Sequence, residues 1–126
     1  MSAPSGYTAS FMSDTKWRRF FTVAAENPQK VWYAVWKLIR EDEKSGWLPD
    51  TSHKWDEAVD GCLNGPVDYR LIEWIEIPRR VAYRKYDNAP ASYRAQEIAT
   101  FRAALAAVGQ FQIEDTERGL RVYGYK

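Results

Sequence analysis

The sequence has one cysteine and one histidine in 126 residues. A single thiol, Cys62, excludes an intrachain disulfide, and small secreted domains ordinarily carry several paired cysteines. A zinc site would have to combine Cys62 and His53 with two carboxylates, at no recognisable spacing. No metal site is expected, and both residues read as ordinary positions of a middle loop. Long apolar runs are missing as well. The longest, residues 31–39, is interrupted by Lys37 and falls far short of the roughly 20 residues of a membrane-spanning helix. No membrane partner is expected. Residues 1–12 lack the basic and apolar regions of a signal peptide, which makes the cytoplasm the expected location. Charge of one sign is lacking too: 18 Lys and Arg stand against 17 Asp and Glu, a net of +1. That balance excludes a globally basic nucleic-acid binder and a globally acidic mimic of nucleic acid. No phosphate-cradling glycine loop, dinucleotide fingerprint or H-E-x-x-H motif occurs, so no cofactor is expected.

What is present is enough apolar material for one core. Hydrophobic residues make up 45% of the chain, which offsets the ordering entropy that keeps polar chains disordered. The length suits one domain and is too short for two. Residues 1–12 read as a flexible leader and residues 13–126 as the domain. Charge is uneven along it. Residues 41–60 hold seven acids against two lysines, a net of −5, and residues 79–94 hold five bases against one acid, a net of +4. Such runs are ordinarily solvated faces, and otherwise partner footprints.

Periodicity predicts the elements. Trp17, Phe20, Phe21 and Ala24 share one face of a helix over residues 16–26, with an N-cap offered by Ser13-Asp14-Thr15 and an end at Asn27-Pro28. Residues 31–40 fit either a helix stripe or a strand, and their Trp, Tyr, Val and Ile content favours the strand. Residues 41–49 read as an acidic loop and a turn, and residues 50–68 as a long loop with a short helix near Trp55. Strands are expected over residues 69–77 and 79–86, a helix over residues 91–108 with Gly109 at its end, and two closing strands over residues 111–114 and 120–125. The pattern predicts an α+β single domain. Its sheet is mixed or antiparallel, of about five strands, with two main helices packed on it.

Chemistry-bearing residues are few. Glu73 and Glu76 lie in one strand, where alternation sends them to opposite faces and denies them a shared substrate. Ion pairing to an arginine such as Arg79 or Arg84 is the ordinary use of such residues. The unusual feature is aromatic: six tryptophans and eight tyrosines. Trp17, Trp32, Trp36 and Trp74 are placed for the core. Trp47 and Trp55 fall among acids, where a tryptophan is either a lid on the core or an interface anchor. Two segments interleave aromatics with cations, Lys16-Trp17-Arg18-Arg19 and the strand from Arg79 to Lys85, and so could stack on nucleic-acid bases.

The segments Thr15-Lys16-Trp17-Arg18, Glu73-Trp74-Ile75-Glu76-Ile77 and Val122-Tyr123-Gly124-Tyr125 resemble a family of small, uncharacterised bacterial domains. That family opens on a T-K-W motif, carries an I-E-W-[IL]-E-[IF] strand and closes on a G-Y strand. The resemblance covers most of residues 14–125 and implies no catalytic residues. In general style the chain also resembles the immunity proteins of bacterial polymorphic toxin systems. That second resemblance implies a cytosolic protein that is not an enzyme and that occludes the active site of a cognate toxin or effector. Its expected contact residues are Glu41, Asp42, Glu43, Trp47, Trp55, Asp56 and Glu57. The alternative is a nucleic-acid-binding or regulatory domain using Arg79, Arg80, Tyr83, Arg84 and Lys85.

Overall fold

Ser13 opens the first helix, its hydroxyl accepting the Lys16 N–H at 3.1 Å. Asp14 follows in the first turn, where the helix dipole favours an acid. Helix α1 runs Asp14–Glu26 and buries Trp17, Phe20, Phe21, Val23 and Ala24, the face its spacing predicts. A computed structural model describes residues 3–49, 58–60, 66–83 and 88–126. Among them follow β1 (Tyr33–Leu38), β2 (Lys44–Trp47), β3 (Ala58–Asp60), β4 (Pro66–Asp68), β5 (Ile72–Pro78), β6 (Arg80–Tyr83), β7 (Ser92–Ala95), α2 (Ile98–Val108), β8 (Ile113–Asp115) and β9 (Gly119–Tyr123).

Five strands form one antiparallel sheet in the order β2-β1-β5-β9-β8. One face of it meets both helices. Ala34, Trp36 and Leu38 from β1, Ile75 and Ile77 from β5, and Leu120 and Val122 from β9 pack with Phe20, Phe21, Phe101 and Leu105. Phe21 lies at the centre, stacked on Trp36 at 5.4 Å and on Tyr69 at 5.9 Å, with Phe20 edge-on at 5.1 Å. Such aromatic pairs add about 1 kcal/mol each beyond the area they bury. The α+β expectation holds, and the sheet is antiparallel.

Several local expectations are corrected. Residues 41–49 are not all loop, because Lys44–Trp47 pairs with β1 and makes a hairpin whose turn carries Arg40 at φ 61. Residues 58–60 and 66–68 form a two-stranded sheet rather than loop and helix, burying Val59 and Val67 in the core. Tyr69–Leu71 is a 3₁₀ turn ahead of β5. The helix expected from residue 91 begins at Ile98, because residues 92–95 pair with β6 in a second two-stranded sheet. Tyr93 is therefore an exposed strand residue and not part of a helix face. Gln96 breaks the run. Its N–H donates to the Arg79 carbonyl at 2.8 Å, and its side chain turns inward.

Residues 3–12 lie against the other end of the chain. The Thr8 and Ala9 N–H groups donate to the Lys126 carbonyl, the Lys126 N–H returns to Ala9, and Phe11 bonds the Gly124 carbonyl. Met12 is buried, and the rings of Tyr7 and Tyr125 meet at 5.6 Å.

Candidate functional site

Cross-strand partners share a face, so register defines the side of the sheet away from the helices. Trp47 joins Tyr33, Ser45 joins Val35 and Glu76, Glu76 joins Arg121 and Glu114, and Lys37 joins Trp74 and Tyr123. Glu76 sits at the centre with no exposure to solvent. Arg121 Nε donates to its Oε2 at 3.1 Å, and Thr116 Oγ1 donates to the same oxygen at 2.8 Å. Arg118 Nε lies 2.6 Å from Oε1. That contact is an ion pair without hydrogen-bond alignment, and Oε1 has no hydrogen-bond partner among the described residues. The Arg118 guanidinium then reaches Glu43, at 3.3 Å to both carboxylate oxygens. Arg121 lies 3.8 Å over the Trp74 ring. Burial works against its charge, while the Tyr123 hydroxyl and Glu76 more than offset this and hold the guanidinium above its ordinary range.

Glu73 departs from the expected alternation. Lys37 pairs with Trp74 while Leu38 pairs with Ile72, so Glu73 has no partner on β1 and forms a bulge. The extra residue turns its carboxylate to the same face as Glu76, correcting the expectation of opposite faces. There it accepts from the Tyr7 hydroxyl and lies 3.5 Å from Lys37 Nζ. Both strand glutamates are thus tied into ion pairs. The arginines that hold Glu76 are Arg118 and Arg121 rather than Arg79 or Arg84. Arg79 donates instead to the carbonyls of Thr116 and Glu117, and Arg84 lies outside the described residues.

At the far end of β2 a groove opens between the sheet and the β6–β7 hairpin. Trp32, Tyr33, Trp47, Val81, Tyr83 and Arg94 line about 540 Å³. Trp47 stands 63% exposed, edge-on to Tyr33 at 6.1 Å. Arg94 lies 4.9 Å over the Trp32 ring. Trp32 is only half-buried, unlike the three other tryptophans placed in the core. Gln96 fixes the hairpin here. Its Oε1 accepts from Trp32 N at 2.7 Å and Tyr33 N at 3.0 Å, and its Nε2 donates to the carbonyls of Tyr33 and Pro78. Every donor and acceptor of that buried amide is used. A lone polar residue ahead of a helix carried no sign of this role in the sequence.

The expected contact residues divide. Glu41, Asp42 and Glu43 are exposed at the β1–β2 turn, with Glu41 paired to Lys44 at 3.0 Å. Trp47 stands at the other end of the same ladder, roughly 13 Å from Glu43 at strand spacing. Trp55, Asp56 and Glu57 lie outside the described residues, as do His53, Cys62 and Lys85. Trp17 is 1% exposed, so the Lys16-Trp17-Arg18-Arg19 segment presents no stacking ring. Among the described residues no group of three or more His, Cys, Asp or Glu could hold a metal ion, and no helix is long and apolar enough to cross a membrane.

The three motif segments converge. Both Gly124 N and Tyr125 N donate to the Glu73 carbonyl, and a Cβ built on Gly124 would stand 3.2 Å from the Trp17 ring. A family model matches residues 5–126. The chain belongs to the family of unknown function DUF6678. No curated protein and no solved structure matches it. Membership agrees with the resemblance carried by the T-K-W, I-E-W-I-E-I and G-Y segments, and it includes most of the N-terminal stretch that composition set aside.

Proposed function

We propose that this DUF6678 protein is a non-catalytic binding protein of the immunity type, one that occludes the active site of a cognate toxin or effector domain in the cytoplasm. The observation that carries the reading is Trp47, 63% exposed at the rim of a groove on an edge strand. Large exposed aromatics of this kind anchor protein interfaces, because they contribute contact area at low entropic cost. The exposed turn supports it through Asp42, which offers charge to a basic cleft beside Glu41 and Glu43, themselves paired to Lys44 and Arg118; such charge speeds encounter and selects the partner. The two features sit at opposite ends of one short hairpin, a span that a standard interface covers. The engagement of Glu73 and Glu76 in ion pairs favours binding over catalysis for this face.

Affinity capture from the native cell's lysate tests the reading. The expected result is one stoichiometric protein retained through high salt and toxic when expressed without this chain. Trp47→Ala should weaken that complex by about 2 kcal/mol or more, and unchanged affinity removes Trp47 from the interface. The second reading, single-stranded nucleic acid on the β6–β7 hairpin, is favoured by the exposure of Arg80, Tyr83, Tyr93 and Arg94. It predicts oligonucleotide binding that falls steeply with salt. Absence of any shift at low salt ends it.

A further inference from the structure

Arg94 is the only charged residue among the described residues that line the groove. Its neighbours there are aromatic or aliphatic: Trp32, Tyr33, Trp47, Val81 and Tyr83. Arg94 is exposed, and no described carboxylate lies in ion-pair range of it. Arg118 and Arg121, from the β8–β9 turn and β9 of the five-stranded sheet, are each held by Glu76. The contrast has chemical content. An arginine stacked on an indole keeps its in-plane N–H groups directed outward, where a carboxylate can take two of them at once. The volume, about 540 Å³, lies within the roughly 300–1,000 Å³ typical of small-molecule sites.

The cleft is also built and not incidental. The fully bonded Gln96 amide sets the β1 end against the β6–β7 hairpin, and Val81 pairs with Arg94 across that hairpin. The aromatic walls come from separate elements, Tyr33 and Trp47 from the sheet and Tyr83 from the hairpin.

We infer that this groove is a binding site for a planar aromatic acid, its ring between the aromatic walls and its carboxylate on Arg94. The apolar walls select a flat hydrophobic ring, and the single cation selects an anion over a cation. This inference needs no protein partner, and it stands or falls apart from the immunity reading.

Three small probes separate its parts in calorimetric titrations of the full chain: indole-3-acetate, tryptamine and acetate. Indole-3-acetate should bind in the micromolar to millimolar range. Tryptamine, with the same ring and opposite charge, should bind at least about tenfold more weakly, and acetate should give no heat. Arg94→Gln should cost indole-3-acetate at least about tenfold and should not weaken tryptamine, whose ammonium the arginine repels. Trp47→Ala should weaken both ring probes, whereas Arg102→Gln, outside the groove, should alter neither. Proton–nitrogen correlation spectra of each variant check that the fold is kept. Equal binding of tryptamine and indole-3-acetate, or indifference to Arg94→Gln, overturns the assignment. So does a single-stranded oligonucleotide that binds more tightly than indole-3-acetate and competes with it for Trp47.

Discussion

Gln96 is the residue on which the groove most depends. A buried amide with four bonds to backbone leaves several groups unpaired when it is removed, each costing about 1–3 kcal/mol. Gln96→Ala is therefore expected to destabilise the protein by about 3 kcal/mol in urea unfolding, and a cost under about 1 kcal/mol would refute this account. Gly124 is constrained differently. A Cβ there would stand 2.4 Å from the Ile72 carbonyl oxygen, so Gly124→Ala forces β9 and β5 apart. About 2 kcal/mol or more of lost stability is expected, with a lowered thermal midpoint as the readout. Tyr7 supplies a pH signature. Burial, with the hydrogen bond and charge of Glu73 behind it, pushes its phenol from 10.0 up to about 12. The fold favours the protonated form, so this contribution is whole below pH 10 and is lost as pH rises towards 12. The stability gap between the native protein and Tyr7→Phe should be constant up to about pH 10 and narrow above it. A gap that stays constant through that window would show that folding does not raise the Tyr7 pKa.

At the scale of elements, the N-terminal segment behaves as an added strand edge. Its backbone bonds to Lys126 and Gly124, together with buried Met12, predict that deleting residues 1–12 lowers the thermal midpoint by several degrees or more. A midpoint unchanged by the deletion would return the segment to the status of a leader. Helix α1 and β1 are legible locally, since an apolar stripe and β-branched and aromatic enrichment suffice for each. The run over residues 91–108 is legible only in its second half. Ile98, Phe101 and Leu105 have helical spacing, but residues 92–95 are claimed by β6, a tertiary pairing that overrides local preference. β2 was hidden for a similar reason. Lys44-Ser45-Gly46-Trp47 has weak strand propensity and pairs because β1 presents an edge to it.

At the scale of the molecule, one core spans α1, α2, the five-stranded sheet and the β3–β4 pair. Unfolding is expected to be a single transition, with tryptophan fluorescence and far-ultraviolet dichroism coinciding. Separate transitions would mean that the β6–β7 hairpin or β3–β4 opens alone. Composition and pattern determined the class of this protein: one α+β domain, its helix-facing core and its lack of any recognised catalytic motif. The motif segments carried the family. Tertiary structure alone decided the site. Strand alternation separates Glu73 from Glu76, yet a one-residue bulge returns both to one face. The arginines that neutralise Glu76 come from a turn and a strand more than forty residues away. The groove is braced by one glutamine, at the end of β7, whose amide bonds the start of β1 and the end of β5, segments that the chain keeps far apart. Local spacing encodes which face a residue takes within its own element, and only the pairing of distant elements decides which faces meet.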